Sequence, residues 1–411
     1  MSSPTNLLII GAGPNQVPAI RLAKQRGYRV VVTDIDPKAE GFALADETGL
    51  ASTRDADATV AFARQSHAKH PLTGVMTMAS ESAVTVAKVA AALGLPGLNP
   101  AAAWRATHKV ERQRCWRAAG IAAPRFDEAR DLAGALKVAE QLGWPVVVKP
   151  VDSAGSRGVR KVNSPAEMGA AVAEIAEHSK RPEFLIEEFL TGSEHSIEGI
   201  VIDGQVTWCG FSDRNYDNKE IYPPYFLEDG DSMPTTLAAG RLAEVQALST
   251  RAVKALGITW GPVKGDILVA QDGPRMIEMA ARLSGDYFCY ETIPLHNGIN
   301  LLEAVMNQSV DLPVEPAMVQ PKFHQGVALR YVWPKPGKVK AITGVEAVRK
   351  LPGVHFFKWE PRWRDIGVGT VINPARSMGE RVGCVMTFAP TRAEAIRIAE
   401  TACRMIKIET E

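Results

Sequence analysis

The chain has 411 residues, a length at which a single hydrophobic core normally gives way to several domains. Its 47 basic and 46 acidic residues nearly cancel, which argues against a nucleic-acid or anionic-membrane partner. The five cysteines are scattered without metal-ligand spacing, residues 1–10 lack a signal-peptide pattern, and no apolar run reaches membrane-spanning length. These features predict a cytoplasmic protein of two to four domains.

The first hundred residues predict a parallel α/β domain. Residues 6–13 form a β run that enters a glycine turn, residues 16–26 have helical spacing, and a second β run ends at Asp34. This βαβ pattern is typical of dinucleotide-binding domains, but Gln16 stands where the third glycine of that fingerprint belongs. We therefore expect a structural role and no bound NAD.

The most informative stretch is residues 146–159, whose sequence is VVVKPVDSAGSRGV. Its β-branched start predicts a buried strand with Lys149 at the end. A loop of small residues follows: Ser153, Gly155, Ser156 and Gly158. Small residues let backbone N–H groups approach an anion closely, and a neighbouring lysine supplies the charge that a polyphosphate requires. The alternative is a lysine at a strand end before an ordinary turn.

Two β-hairpins are predicted downstream, with turns at 203–204 and 272–273. The second hairpin places Asp266 and Glu278 on paired strands. Two carboxylates that face one cleft suit Mg²⁺, and two solvent-facing acids are the alternative. Between the hairpins, residues 212–236 are polar, aromatic and without a period. A loop of that length inside a domain predicts a lid or a binding segment.

Taken together, these features resemble the ATP-grasp superfamily over the whole chain, and most closely its carboxylate–amine ligases, which include the L-amino-acid ligases. Biotin carboxylases share the layout. The resemblance implies an α/β and α+β architecture, the ATP-grasp fold. Its implied parts are a leading parallel α/β domain (1–100), a linker helix with an α/β lid (101–190), a central antiparallel sheet with the metal site (191–320) and a trailing β-rich domain with a final helix (321–411).

The resemblance also implies an ATP site. Lys109, in a helix before "GIAAP", and Lys149 match the two lysines that the family uses on the nucleotide phosphates. The loop Ser153–Gly158 matches the segment that covers those phosphates. A plain surface lysine is the alternative for Lys109. The family further implies that the carboxylate of Glu187 and the backbone at Glu188 and Leu190 contact the adenine. It also implies that the acid Glu194 accepts hydrogen bonds from the ribose hydroxyls.

The same resemblance implies the catalytic and metal-binding groups. Asp266 and Glu278 match the acids that hold Mg²⁺ or Mn²⁺, and Arg282 matches the arginine that follows the second acid. Ala280 stands where many members carry an asparagine as a third ligand, so the metal count stays open. Arg330 matches a strand arginine that faces the acyl substrate in the amino-acid ligase branch, and a structural salt bridge is the alternative.

The implied activity is ligation of a small carboxylate, expected to be an amino acid, to an amine through an acyl phosphate, with release of ADP and phosphate. The alternatives are a carboxylase or formate-using ligase of nucleotide metabolism and a non-catalytic nucleotide-binding regulator. Bicarbonate and formate are too small to require the aromatic-rich segment 216–226, and both lysines and both acids are present, so we favour the ligase. A homodimer is the default assembly.

Overall fold

The structure is a computed structural model that describes residues 5–217 and 221–411, so part of the predicted loop 212–236 lies outside the described residues. The helices are α1 Val17–Gln25, α2 Ala56–Lys69, α3 Ala83–Leu93, α4 Pro100–Thr107, α5 Lys109–Ala118, α6 Leu132–Leu142, α7 Pro165–His178, α8 Ala239–Ala255, α9 Ile293–Asn297, α10 Leu301–Ser309, α11 Val345–Arg349 and α12 Arg392–Met405. The strands are β1 Asn6–Ile10, β2 Arg29–Asp34, β3 Glu47–Leu50, β4 Gly74–Met76, β5 Phe126–Ala129, β6 Val146–Pro150, β7 Arg160–Val162, β8 Phe184–Glu188, β9 Ser193–Ile202, β10 Gln205–Arg214, β11 Asp231–Met233, β12 Gly261–Ala270, β13 Gly273–Ala280, β14 Gly326–Val332, β15 Gly337–Thr343, β16 Val354–Trp359, β17 Val371–Ile372, β18 Gly383–Ala389 and β19 Lys407–Thr410. Together the described strands form four sheets.

The leading domain is parallel α/β, as the sequence predicts, and its four strands lie in the order β3-β2-β1-β4. Its central strand is buried on both faces because helices cover the sheet on each side. Leu7 and Ile9 enter one core with α1, whereas Leu8 and Ile10 enter another with α2 and α3. A strand buried on both faces reads as a continuous apolar run, which explains the absence of alternation in β1.

The lid is a four-stranded antiparallel sheet in the order β5-β8-β6-β7, with α6 and α7 packed on one face. Val146 and Val148 of β6 point into that helix-covered core. Because side chains alternate along a strand, Val147 and Lys149 point to the opposite face. The lid therefore presents a lysine-bearing face away from its own helices.

The central sheet has eight strands in the order β13-β12-β9-β10-β11-β14-β18-β16. Strands β14, β16 and β18 belong to the predicted trailing domain, and β14 pairs directly with β11. The sheet is therefore continuous across the predicted boundary at residue 320. Helix α8 packs on one face of the β9–β12–β13 half, and α10 packs on the other face near Ile200, while further along that half Lys264, Asp266 and Glu278 line a cleft.

Both predicted hairpins are present. The first joins β9 to β10 through residues 203–204, both of which have positive φ. The second joins β12 to β13 through residues 271–272, one residue earlier than expected, with Gly273 already in the strand. The remaining sheet, β17-β15-β19, is small and lies in the trailing part, where α12 packs on β14 and β18. Among the helices that the structure describes, none is long and apolar enough to cross a membrane.

Candidate active site

A cleft of about 1400 Å³ collects side chains from the leading domain, the lid, the central sheet and the trailing strands. The sheets explain how distant residues meet here, since the outward face of the lid carries Lys149 and β12–β13 carry the two acids. Twelve of the fourteen predicted site residues line the cleft: Lys109, Lys149, Ser153, Gly155, Ser156, Glu187, Glu188, Leu190, Glu194, Asp266, Glu278 and Arg282. Gly158 and Arg330 are not among its lining residues.

The two predicted phosphate lysines lie at the root of the glycine-rich loop. Lys109 is the first residue of α5, and its Nζ donates to the carbonyl oxygens of Pro150 (3.2 Å) and Ser153 (2.7 Å). Burial lowers the pKa of Lys109, and nearby Lys149 lowers it further although Glu278 opposes the shift. Lys149 Nζ lies 2.5 Å from a carboxylate oxygen of Glu187. The chain thus holds two cations next to the loop.

The glycine-rich loop has a left-handed backbone at three of its positions. Gly155, Ser156 and Gly158 all have φ between 59° and 70°, in the left-handed region that glycine adopts without cost. Gly158 faces away from the cleft, since a Cβ there would lie 2.9 Å from the ring of Pro150. Its expected contact with the nucleotide stays a prediction, because Gly158 is not among the residues that line the cleft. The N–H of Met378 donates to the carbonyl of Gly155 (3.3 Å), so the trailing domain contacts the loop.

The segment after β8 forms one wall of the cleft. The Glu187 carboxylate accepts from Gln113 Nε2 (3.0 Å) in addition to its pair with Lys149, so its first role here is to hold that lysine. The N–H of Glu188 donates to the carbonyl of Arg125 (2.9 Å), which leaves this N–H engaged within the lid. Apolar side chains line this part of the cleft, and the predicted Leu190 is one of them: Phe189, Leu190, Phe226, Leu268 and Ile277.

Glu194 lies on β9 at the cleft, at the position predicted for the ribose. Burial raises its pKa, and Arg214 opposes that shift. The neighbouring His195 points the other way and is 1% exposed. Its ring nitrogens hydrogen-bond Ser193 (2.7 Å) and Asp213 (3.0 Å). His195 is therefore a structural histidine and not a base of this cleft.

The two acids predicted to bind metal stand directly opposite each other on β12 and β13, beside a β-bulge. Asp266 accepts hydrogen bonds from Ser196 Oγ (2.9 Å) and Lys264 Nζ (2.5 Å). Burial alone would raise the pKa of Asp266, but Lys264 and Arg214 hold it well below its usual range. Asp266 is therefore ionised at neutral pH.

Glu278 is more open, with 39% of its side chain exposed, and lies 3.4 Å from Arg112. Burial would raise its pKa, but Arg112 and Lys109 hold it at about 2. Within residues 5–217 and 221–411, no group of three or more His, Cys, Asp or Glu side chains is placed to bind a metal ion. Ala280 contributes no ligand. Two ionised carboxylates nevertheless fit Mg²⁺, which commonly takes one or two carboxylates together with substrate phosphates and water.

Arg282 follows β13 at the edge of the cleft. Its Nη2 donates to Glu81 Oε1 of the leading domain (2.7 Å), and its Nη1 donates to the carbonyl of Leu283 (3.2 Å). The leading and central domains thus meet at this arginine, next to a pairing of Met78 with Leu283. The position lets Arg282 reach the cleft while its guanidinium is fixed by an acid.

Arg330 does not reach the cleft, contrary to its expected role at the acyl substrate. It is buried on β14, and its Nη1 donates to the carbonyls of Asp231 (3.0 Å) and Leu329 (2.8 Å) and to Ser232 Oγ (3.1 Å). These contacts tie β14 to β11. The trailing-domain arginine that lines the cleft is instead Arg381, just before β18.

Several further cations that line the cleft escaped the sequence analysis, among them Arg112, Arg214 and Lys264. Two of these three follow from a spacing that the sequence contains. Arg112 lies three residues after Lys109 on the same helix face. Lys264 lies two residues before Asp266 on the same strand face. Arg214 ends β10 and pairs with Asp266 (3.1 Å) and with Glu228.

Three family models match successive parts of the chain. They are the ATP-grasp N-terminal domain over residues 20–97, the ATP-grasp domain over 142–290 and the L-amino acid ligase C-terminal domain 2 over 330–411. The chain therefore belongs to the ATP-grasp superfamily, whose enzymes use ATP. Within that superfamily, the C-terminal match places it among the ATP-dependent carboxylate–amine ligases.

Several known proteins are similar to this chain in fold or in sequence. An L-amino acid ligase from Bacillus licheniformis has the same fold, with a TM-score of 0.83 and 23% identity over 100% of both chains. An uncharacterized protein of Sinorhizobium fredii, y4rH, is 24% identical and covers 96% of this chain and 80% of its own length. Carnosine synthase 1 of Gallus gallus is 26% identical over 75% of this chain, which spans only 35% of that longer protein.

Proposed function

We propose that this chain joins a small carboxylate, expected to be an amino acid, to an amine through an acyl phosphate and releases ADP and phosphate. The observation that carries the proposal is the composition of one cleft, in which Lys109 and Lys149 face the opposed acids Asp266 and Glu278. A carboxylate is a poor electrophile because its charge is delocalised. Transfer of the γ-phosphoryl group of ATP to the carboxylate removes that obstacle.

The chain's own groups bind and orient the nucleotide in this scheme. Lys109, Lys149 and the N–H groups of the loop 153–158 supply positive potential for the phosphates. Asp266 and Glu278 would hold Mg²⁺ or Mn²⁺, which when bound offsets phosphate charge during transfer. Apolar side chains around Leu190 accommodate the base. Glu194, which also lines the cleft, would accept hydrogen bonds from the ribose hydroxyls.

Arg282 is the proposed catalytic cation. It lies at the junction of the leading and central domains, and its pair with Glu81 fixes the direction of the guanidinium. A fixed donor aimed at developing charge typically contributes about 100- to 1,000-fold in rate. In this role Arg282 stabilises the transferring phosphoryl group and then the tetrahedral oxyanion that forms when the amine attacks.

An acyl phosphate hydrolyses readily, so the cleft must exclude water during the reaction. The proposed cover is the lid together with the described part of the loop 212–236. The loop already contacts the lid, since Lys161 N–H donates to the carbonyl of Pro224 (2.9 Å). Phe189 and Phe226 stack with ring centroids 6.1 Å apart across the same boundary. No protein nucleophile is required by this route.

The test is a panel of paired carboxylates and amines, with phosphate release as the first readout and mass spectrometry of the products as the second. Chromatography of the nucleotide then separates the two activation routes. ADP supports an acyl phosphate, whereas AMP with pyrophosphate would establish adenylation and overturn the proposal. With ADP as product, one carboxylate ¹⁸O should appear in the released phosphate, because the acyl oxygen bridges to phosphorus before the amine displaces it.

A further inference from the structure

The floor of the proposed metal site is formed by two neighbouring rows of side chains across β9, β12 and β13. The first row is Ser196, Asp266 and Glu278, and the second row is Glu198, Lys264 and Ala280. Residues two apart on a strand share a face of the sheet, so all six side chains belong to one face. Lys264 lines the cleft on this face, next to the acids proposed to bind the metal.

Lys264 is the direct cross-strand partner of Ala280. Side chains in this relation have Cβ atoms about 4.5–5.5 Å apart. Alanine supplies no metal ligand, and its single methyl group leaves the space beside it to the long lysine side chain. The position that would carry a third ligand therefore carries none, and its neighbour on the next strand brings a positive charge.

The ammonium group of Lys264 faces carboxyl groups on all three strands. Its Nζ donates to Asp266 Oδ1 (2.5 Å) on its own strand. Burial raises the pKa of Glu198 on β9 to about 7, and hydrogen bonds from Ser284 together with the charge of Lys264 oppose that rise. The pKa of Glu278 on β13, which burial alone would raise, is lowered by several cations that include Lys264. One protein cation thus stands among three acids.

The protein donors to Asp266 use only one of its two oxygens. Ser196 Oγ (2.9 Å) and Lys264 Nζ (2.5 Å) donate to Oδ1, and Arg214 Nη1 lies 3.1 Å from the same atom. Within the described part of the chain, no group donates a hydrogen bond to Oδ2. One metal ion can therefore bind Oδ2 and Glu278 while Lys264 stays in the site. Two-metal sites place their ions about 3.5–4 Å apart, so a second ion would have to share Oδ1 with two cations or displace Lys264.

We propose that the ammonium group of Lys264 takes the place of a second divalent ion, so that the cleft binds one metal ion with each nucleotide. This inference rests on the proposed function and adds the number of metal ions and a further cation for the transferred phosphoryl group. A lysine supplies three N–H donors and a fixed charge, whatever the concentration of free metal. Turnover should therefore not increase with free Mg²⁺ once all the ATP carries one metal ion.

The number of bound metal ions can be counted without turnover. Mn²⁺ would be titrated into the protein with AMP-PNP, an analogue whose β–γ bridge is nitrogen, and free Mn²⁺ would be measured by electron paramagnetic resonance. We expect the wild-type protein to bind one Mn²⁺ per bound nucleotide. The double variant Lys264→Ala with Ala280→Asn removes the ammonium group and adds an amide oxygen, so it should bind two. Two ions in the wild-type protein, or one in a folded double variant, would overturn the inference.

Kinetics test the charge of Lys264 by a second route. Lys264→Met removes the charge and keeps most of the length, so it should lower kcat by about 100- to 1,000-fold and leave KM for ATP within a few fold. Lys254→Met, which changes an exposed lysine of α8 outside the cleft, is the matched control and should change neither quantity. Normal kcat in Lys264→Met would also overturn the inference.

These outcomes separate the inference from the proposed function. Two Mn²⁺ per nucleotide in a protein that forms amide and ADP would overturn the inference alone. AMP and pyrophosphate as products, with one Mn²⁺ per nucleotide, would overturn the acyl phosphate route and leave the metal count intact. A wild-type protein that binds neither AMP-PNP nor Mn²⁺ would overturn both.

Discussion

Glu278→Gln is the sharpest test of the metal site because it removes one charge and keeps the shape of the side chain. Glu278 lies 3.4 Å from Arg112, which is 4% exposed. Leaving a buried charge without its partner costs about 3–5 kcal/mol when the pair is fully buried. Glu278 is 39% exposed, so solvent screens the pair. We therefore expect the variant to lose only about 1–2 kcal/mol of stability and to fold.

The decisive readout is the metal-dependent part of nucleotide binding. A ligand at a hundredfold excess over its dissociation constant stabilises the folded state by about 2.7 kcal/mol. Thermal unfolding would be measured without ligand, with ATP and EDTA, with ATP and Mg²⁺, and with ATP and Mn²⁺. The wild-type protein should gain more from ATP with either metal than from ATP alone. In Glu278→Gln that difference should vanish, and turnover with the correct substrates should be lost.

The matched control is Glu346→Gln, which removes an exposed acid outside the cleft. It should keep both the metal-dependent increment and turnover. If Glu278→Gln turns over normally, or keeps the same difference between ATP alone and ATP with Mg²⁺, then Glu278 does not bind the metal. An unchanged melting temperature of the wild-type protein at saturating ATP and Mg²⁺ would refute the nucleotide site itself.

Arg282→Ala should slow turnover by about 100-fold or more while ATP affinity stays within a few fold, because the arginine acts in the transition state. If calorimetry shows that ATP binding is lost in parallel, Arg282 binds the nucleotide instead. The leading domain should bind no NAD, because Gln16 Oε1 already accepts a hydrogen bond from the N–H of Gly13 (3.1 Å). Saturable NAD binding that is lost on substitution of Gly11 would contradict this prediction. Burial would raise the pKa of Asp213, but hydrogen bonds from His195 and two threonines hold it at about 2, below its ordinary 3.8. Its ionised form therefore contributes about 2 kcal/mol above pH 3.8, which is lost as the pH falls through 2. Denaturant midpoints should show Asp213→Asn destabilised at pH 7 and equal to wild type only well below pH 2. An equal loss of stability at both pH values would show that the lowered pKa of Asp213 is not the cause.

The sequence predicts best what depends on local pairing. Asp266 and Glu278 belong to one hairpin, and hairpin register is set by the turn that joins its strands. The turn lies one residue earlier than predicted, and a bulge beside Asp266 shifts the pairing by one residue, so that Asp266 lies directly opposite Glu278. The same reasoning holds for Lys149, whose direction follows from the alternation of β6. The alternation of side chains along the strands therefore predicts the positions of several residues of the candidate site.

The trailing domain shows where that reasoning fails. Every residue of β14 is buried, so its sequence has no polar face from which the direction of Arg330 could be inferred. The strand lies in the middle of the large sheet, and the arginine turns to the carbonyls of its neighbours. Arg381 lies in an irregular segment between β17 and β18, where no period exists. Only the packing of that segment against Asp286 and Tyr331 brings it to the cleft.

The cleft also has a charge arrangement that explains why nucleotide and metal should enter together. Five cations of the cleft each face an acid in a close pair, whereas Lys109 donates to backbone carbonyls: Lys149–Glu187, Arg112–Glu278, Lys264–Asp266, Arg282–Glu81 and Arg381–Asp286. ATP alone would add several negative charges beside acids that are already ionised. A divalent metal bound by Asp266 and Glu278 would free their cations for the phosphates, and the exchange would keep the local charge nearly balanced. The metal dependence expected of Glu278 would thus be a property of the whole cleft, because each acid proposed to bind the metal is also paired with a cation proposed to bind the phosphates.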